Sequence, residues 1–131
     1  MINYLIVIPA RYESSRFPGK PLADIHGKSM IRRVWEKCVE AASADKVLVA
    51  TDDNRIMEHC RDHEMQVDLT SNECLTGTDR LYEVAQKRKA DVYINVQGDE
   101  PLISPIDIKT VLQAAQNEPD ITINAMCSIK N

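Results

Sequence analysis

The sequence predicts an α/β fold: three layers, α/β/α, built on a mostly parallel sheet. Three observations carry this expectation. Short apolar, β-branched runs alternate along the chain with segments whose apolar residues recur at helical spacing. The first run, Tyr4–Ile8, is continuously apolar, as a strand covered on both faces is. Polar segments containing Gly or Pro follow several of the strands, where α/β sheets keep their ligand loops.

Taken in order, Tyr4–Ile8 is expected to be a buried strand ending at Pro9, and residues 10–28, with Pro18, Gly19, Pro21 and Gly27, a long loop. Met30, Ile31, Val34, Trp35, Cys38 and Ala42 then mark a helix. Lys46–Ala50 is the second strand, and Asp53–His63 a short helix burying Ile56 and Cys60. Met65, Val67 and Leu69 alternate with polar residues, the pattern of a strand nearer a sheet edge. Thr70–Gly77 is a loop before a helix carrying Leu81, Val84 and Ala85, with Thr76 or Thr78 as its cap. Asp91–Val96 is a strand cut off by Gln97-Gly98-Asp99-Glu100-Pro101. Ser104-Pro105 pairs a cap residue with proline in the first helical turn, ahead of Ile108, Val111, Leu112 and Ala115. Ile121–Cys127 alternates as a last strand, and nothing behind it can form the helix that would continue a doubly wound fold. The architecture is therefore expected to be truncated.

Composition narrows the function classes. At 131 residues, 44% hydrophobic and 27% charged, the chain suits one globular domain over residues 1–131. A net charge of −4 supplies no basic footprint for nucleic acid. Charge is uneven, however: residues 1–40 hold seven Lys/Arg against four Asp/Glu, a surplus of three that leaves the remainder at −7. A cationic opening on an acidic chain points weakly to an anionic ligand near the N-terminus. Cys38, Cys60, Cys74 and Cys127 form no C-x-x-C pair, and Cys38 and Cys60 fall on apolar helix faces, so reduced core thiols are expected. No stretch is long and apolar enough for a membrane span and no basic leader precedes the first strand, so the expectation is a cytoplasmic protein without a membrane partner.

Pro9–Lys20 is the most informative segment, because it places Arg11, Arg16 and Lys20 on one loop after a strand. Guanidinium forks grip phosphate oxygens at two points, and lysine adds a compact charge. Gly19 and the neighbouring serines let backbone amides approach a phosphate. The loop is neither G-x-x-x-x-G-K-[ST] nor G-x-G-x-x-G. A solvated loop with incidental charges is an equally weighted alternative. In Gln97–Pro101, a carboxylate at the strand end suits Mg²⁺, which takes one or two carboxylates beside substrate phosphates; alone, a polar turn explains it better. Thr76-Gly77-Thr78-Asp79-Arg80 offers helix N-terminal amides to an anion, though a capped helix with Arg80 in solvent is the simpler account. His59 and His63 lie four apart without the H-E-x-x-H signature, so a surface location is favoured over a zinc site.

Together these segments are far more specific. Ile8-Pro9-Ala10-Arg11 and Ser15-Arg16-Phe17-Pro18-Gly19-Lys20-Pro21-Leu22 resemble the opening signature of the CMP-Kdo synthetases, where Kdo is 3-deoxy-manno-octulosonate. Val49-Ala50-Thr51-Asp52-Asp53, Thr76–Arg80 and Asn95-Val96-Gln97-Gly98-Asp99-Glu100-Pro101-Leu102-Ile103 follow in that family's order, so the likeness covers nearly the whole chain. The related acylneuraminate cytidylyltransferases have a Gly- and Lys-rich first loop, and this one fits the Kdo branch better.

The resemblance implies a Rossmann-like nucleotide-diphospho-sugar transferase fold and transfer of CMP from CTP to Kdo with release of pyrophosphate. It implies Arg11, Arg16 and Lys20 on the triphosphate, and Asp99 binding Mg²⁺. Ala10, Gly77, Arg80 and Gln97 would line the nucleotide pocket. Asp52 and Asp53 are not expected to touch metal. The intact protein would be a homodimer. A chain ending at Asn131 would keep much of the CTP site and lose most of the sugar pocket, and so would be a poor enzyme alone. Another acid sugar as acceptor, or a non-catalytic CTP-binding module, are the alternatives.

Overall fold

The computed structural model describes residues 3–12, 18–71, 77–98, 103–117 and 123–126. Along them run β1 (Tyr4–Ala10), β2 (Asp24–Ile25), β3 (Lys28–Ser29), α1 (Met30–Ala41), β4 (Val47–Thr51), α2 (Asn54–Asp62), β5 (Val67–Leu69), α3 (Gly77–Lys87), β6 (Val92–Asn95), α4 (Pro105–Asn117) and β7 (Ile123–Met126). Five strands form one parallel sheet in the order β5-β4-β1-β6-β7. The chain winds outward from β1 through β4 to β5, then returns across the sheet and winds the other way through β6 to β7.

Strand alternation divides the core into two. Ile6, Ile8 and Ala10 of β1 join Val47, Val49, Val92, Ile94 and the buried faces of α1, α2 and α4. Leu5 and Val7 point oppositely and join Leu48, Ala50 and Tyr93 beneath Leu81 and Val84 of α3. The predicted three layers are thus present, with both faces of β1 apolar because both are covered. Each fully buried aliphatic side chain contributes roughly 1.5–3 kcal/mol of transfer free energy, so β1, whose Ile6, Val7 and Ile8 are wholly buried, is the centre of the fold.

Helix starts follow the expected chemistry. Ser29 caps α1, its Oγ accepting from Arg32 N–H at 3.2 Å. Asp53 caps α2, its Oδ1 accepting from the N–H groups of Arg55 and Ile56 at 2.8 and 3.2 Å. Ser104 Oγ accepts from Ile106 N–H at 3.2 Å at the head of α4. β5 is the sheet edge, with Leu69 exposed and Met65 buried. Cys38 and Cys60 are free, buried thiols; Cys74 and Cys127 lie outside the described residues. No helix among the described residues is long and apolar enough to cross a membrane.

Three expectations are corrected. β1 does not stop at Pro9 but runs to Ala10, paired with β4 through Ala10↔Thr51. Its ladder with β6 ends at Val7↔Asn95, so the N–H that Pro9 lacks falls beyond that ladder. Residues 10–28 are not one loop: Lys20–Leu22 is a 3-10 turn, and β2 and β3 form a small hairpin. The hairpin turn uses positive φ at His26 and Gly27, with Arg33 Nε and Nη2 of α1 donating to the carbonyls of Ile25 and His26. Thr78 is a residue of α3 rather than its cap, because the helix already includes Gly77; Thr76 lies outside the described residues.

Candidate functional site

The strand order fixes where a ligand can enter. β1 exits toward β4 and β6 exits toward β7, so the two exits diverge and leave a crevice beyond the carboxyl ends of β1 and β6. β6 pairs only as far as Asn95, level with Val7, so Val96, Gln97 and Gly98 continue alongside the end of β1. There Gly98 is buried: a Cβ on it would stand 3.0 Å from the Pro9 carbonyl oxygen, 3.3 Å from Ile31 Cδ1 and 3.6 Å from Ala10 Cβ. The close approach that Gly98 permits is therefore, first of all, to the chain's own backbone. Ala10 is buried, Arg11 exposed and Gln97 half-buried at this junction.

The stretch after β1 is closed at its base. Gly19 N–H donates to the Tyr12 carbonyl at 2.7 Å, and Gly19 holds φ 74°, a left-handed conformation that glycine adopts without strain. Leu22 N–H then returns to Gly19 O at 2.9 Å in the turn that begins with Lys20, stiffened by Pro21. These bonds bring half-buried Lys20 back toward Tyr12, next to Arg11 in the chain. The Tyr12 ring meets two groups. One is Gly19, where a Cβ would stand 3.0–3.2 Å from ring atoms, and the other is Arg55, whose guanidinium carbon is 3.3 Å from the ring centroid.

Arg55 is itself held by Asp53, with Nη2 to Oδ2 at 2.7 Å and Nε to Oδ1 at 3.2 Å. Arg55 hydrogen bonding, aided by the backbone N–H groups of Ile56 and Arg55, keeps the Asp53 carboxyl below the usual aspartate range. Asp53 N–H donates to Thr51 Oγ1 at 3.2 Å, tying the set to the end of β4.

Arg80 departs from the simple picture of a solvent-facing side chain. It is only 3% exposed, donates from Nη1 to Thr70 Oγ1 at 2.6 Å and stands 3.8 Å from Asp52 Oδ1. It thereby joins the ends of β4 and β5 to the first turn of α3, whose N-terminal Gly77 lies at the same edge of the sheet as the crevice because α3 follows β5. Asp52 and Asp53 serve this pairing and the α2 cap respectively. Arg16 and Asp99 lie outside the described residues. Among the described residues no three His, Cys, Asp or Glu side chains are grouped to hold a metal. His59 shares a 2.6 Å hydrogen bond with Ser29 Oγ and packs on His63 at 4.4 Å between ring centroids.

The structure therefore joins Ala10, Arg11, Lys20, Gln97 and Gly98 around the β1–β6 exits, with Gly77 and Arg80 flanking them. Sequence reasoning missed Tyr12 and Arg55, whose contact links the loop after β1 to the first turn of α2. It also missed the burial of Arg80, for which a signal exists: Arg80 lies one helical turn before the core residue Val84.

Fold and crevice together define a doubly wound α/β domain whose ligand edge is cationic on the β1 side. Family comparison narrows the class: a family model described as cytidylyltransferase matches residues 5–128, and the chain belongs to that family. It is 47% identical over 127 residues to the 3-deoxy-manno-octulosonate cytidylyltransferase of Escherichia coli, covering 97% of this chain and 52% of that protein. It is 50% identical to the mitochondrial enzyme of that name from Arabidopsis thaliana, covering 95% of this chain and 44% of that protein. A solved CMP:2-keto-3-deoxy-manno-octonic acid synthetase complexed with CTP superposes with a TM-score of 0.86 at 50% identity, covering 89% of this chain and 48% of that one. The chain spans about half the length of the curated relatives it matches.

Proposed function

We propose that this chain is the CTP-binding part of an enzyme that transfers CMP from CTP to Kdo, giving CMP-Kdo and pyrophosphate. The observation that carries the reading is the packing of Gly98 on Pro9 and Ala10, which sets the exit of β6 beside the cationic exit of β1. The likeness to the CTP-bound synthetase, which covers this same part of the chain, supports it.

In this reading Arg11, Arg16 and Lys20 hold the triphosphate, while Ala10, Gly77 and Gln97 border the nucleotide. Arg80 braces the wall behind it through Thr70 and Asp52. A hydroxyl oxygen of the sugar forms a bond to the α-phosphorus as the bond to the bridging α–β oxygen breaks. Pyrophosphate departs with that electron pair, and the hydroxyl proton passes to solvent. Phosphorus chemistry of this kind needs alignment and charge neutralisation rather than a protein nucleophile. Asp99 follows Gly98 directly in the sequence. A lone carboxylate there beside phosphate oxygens is a donor set that suits Mg²⁺. Bound, the cation would offset phosphate charge.

Calorimetric titration with CTP, with ATP and UTP as controls in Mg²⁺ buffer, tests the reading. CTP is expected to bind with clear preference; equal binding of all three, or of none, would sink it. Pyrophosphate release by the whole protein over a panel of acid sugars decides the acceptor, and Kdo is expected to lead.

A further inference from the structure

The cationic exit of β1 is steadied by a contact from another part of the chain. Tyr12 follows Arg11 directly, and its carbonyl accepts the Gly19 N–H at 2.7 Å, one residue before Lys20. The position of Tyr12 therefore sets how far apart the two cations Arg11 and Lys20 stand. Two bonded groups on α2 decide where the Tyr12 ring lies. The Arg55 guanidinium stacks at 3.3 Å from the ring centroid, and its orientation is fixed by a two-point pairing with Asp53. Asp53 is held in turn, because it caps α2 and its N–H donates to Thr51 Oγ1. Gly19 also meets the ring, and it has no Cβ to hold the ring away.

We propose that Arg55 is a positioning residue: through Tyr12 it holds Arg11 and Lys20 at the spacing a triphosphate needs, without touching the nucleotide. The inference rests on the functional reading above. A planar guanidinium suits this task and an ammonium does not, because only the former pairs flat with a carboxylate while stacking on a ring. The set also couples the loop after β1 to the end of β4, so the two exits hold one geometry before ligand arrives. Preorganisation of this kind lowers the ordering cost of binding.

The test is CTP and CMP affinity, by calorimetry on the whole chain, in a double-variant cycle. Arg55→Ala should weaken CTP by about fivefold to thirtyfold, the range expected for losing a stacked and paired guanidinium. CMP, with one phosphate to hold, should lose less. Arg55→Lys should recover only part of the loss, and Arg61→Ala, which removes an exposed charge from the same helix, should match the parent. In a Tyr12→Leu background, adding Arg55→Ala should change CTP affinity by no more than about twofold. Thermal melts of every variant show whether the fold is intact.

Full additivity of Arg55→Ala and Tyr12→Leu would overturn the proposal, as would parent-like CTP binding by Arg55→Ala. Equal weakening of CTP and CMP together with a lowered melting temperature would also overturn it, by assigning Arg55 a purely structural role. A parent chain that binds no CTP would overturn the functional reading, and this inference with it.

Discussion

Two arginines at the same edge of the sheet are treated in opposite ways. Arg11 stands exposed where β1 ends, whereas Arg80 is 3% exposed, hydrogen-bonded to Thr70 and paired with Asp52. A buried guanidinium must have its hydrogen bonds and countercharge supplied by the protein, so its removal falls on stability. An exposed one is solvated until a ligand arrives, so its removal falls on binding. The contrast teaches that, in the proposed site, similar motif residues at one sheet edge divide into scaffold and grip according to burial.

Variants can break or sharpen this division, and the largest effect is expected at the sealed residue. Arg80→Ala should cost about 3 kcal/mol of folding stability, at the low end for a broken buried pair because Asp52 retains some solvent contact. Urea unfolding measures it, and a loss below about 0.5 kcal/mol, the range of ordinary surface substitutions, would erase the distinction. Next comes the floor between the two regions: Gly98→Ala should cost about 2 kcal/mol, since its Cβ presses on the Pro9 carbonyl, which backbone pairing prevents from retreating. The same variant should weaken CTP by pushing Gln97 away from Ala10.

Arg11→Ala should leave the unfolding midpoint within about 0.5 kcal/mol of the parent while weakening CTP by about tenfold. Added salt should narrow that gap. A melting loss like that of Arg80→Ala would show that Arg11 is scaffold after all.

The smallest effect lies away from both arginines, where α2 meets the start of α1. Burial, with the charges of His63 and Arg32 behind it, pushes the His59 imidazole below its ordinary value. The fold thus favours neutral His59, and its contribution is whole above the unfolded value of about 6.5. It is lost as pH falls from there through the depressed folded value. Stability should therefore decline on acidification through this window, and His59→Gln should flatten the decline. A urea series across pH checks the slope.

Local signals made most of the frame legible in advance. Asp53 and Ser104 announce helix starts because caps act within three residues, and the alternation of Met65, Val67 and Leu69 marks an edge strand because one face meets solvent. The β2–β3 hairpin was hidden, since two-residue strands carry no periodicity and His26-Gly27 is not one of the Asn-Gly or Asp-Gly pairs that mark a hairpin turn. At the candidate site, the placement of Pro9–Lys20 and Gln97–Pro101 after strands was legible, whereas single roles for Ala10 and Gln97 came from the resemblance alone. The contact of Tyr12 with Arg55 was not, because nothing local in either segment encodes the other. Arg80 was half legible: its motif suggested a ligand, while its spacing from Val84 suggested the interior.

One buried group gives the molecule a built-in clock. Burial pushes the Cys60 thiol up to about 12, so the reactive thiolate accounts for only about one part in 10⁵ at neutral pH. Cys60 and its buried neighbour Cys38 are therefore shielded from alkylating reagents for as long as α1 and α2 stay docked on the sheet. A brief iodoacetamide pulse followed by peptide mapping at these two positions would time each excursion of that layer away from β1. It would do so without a denaturant and without introducing any new residue.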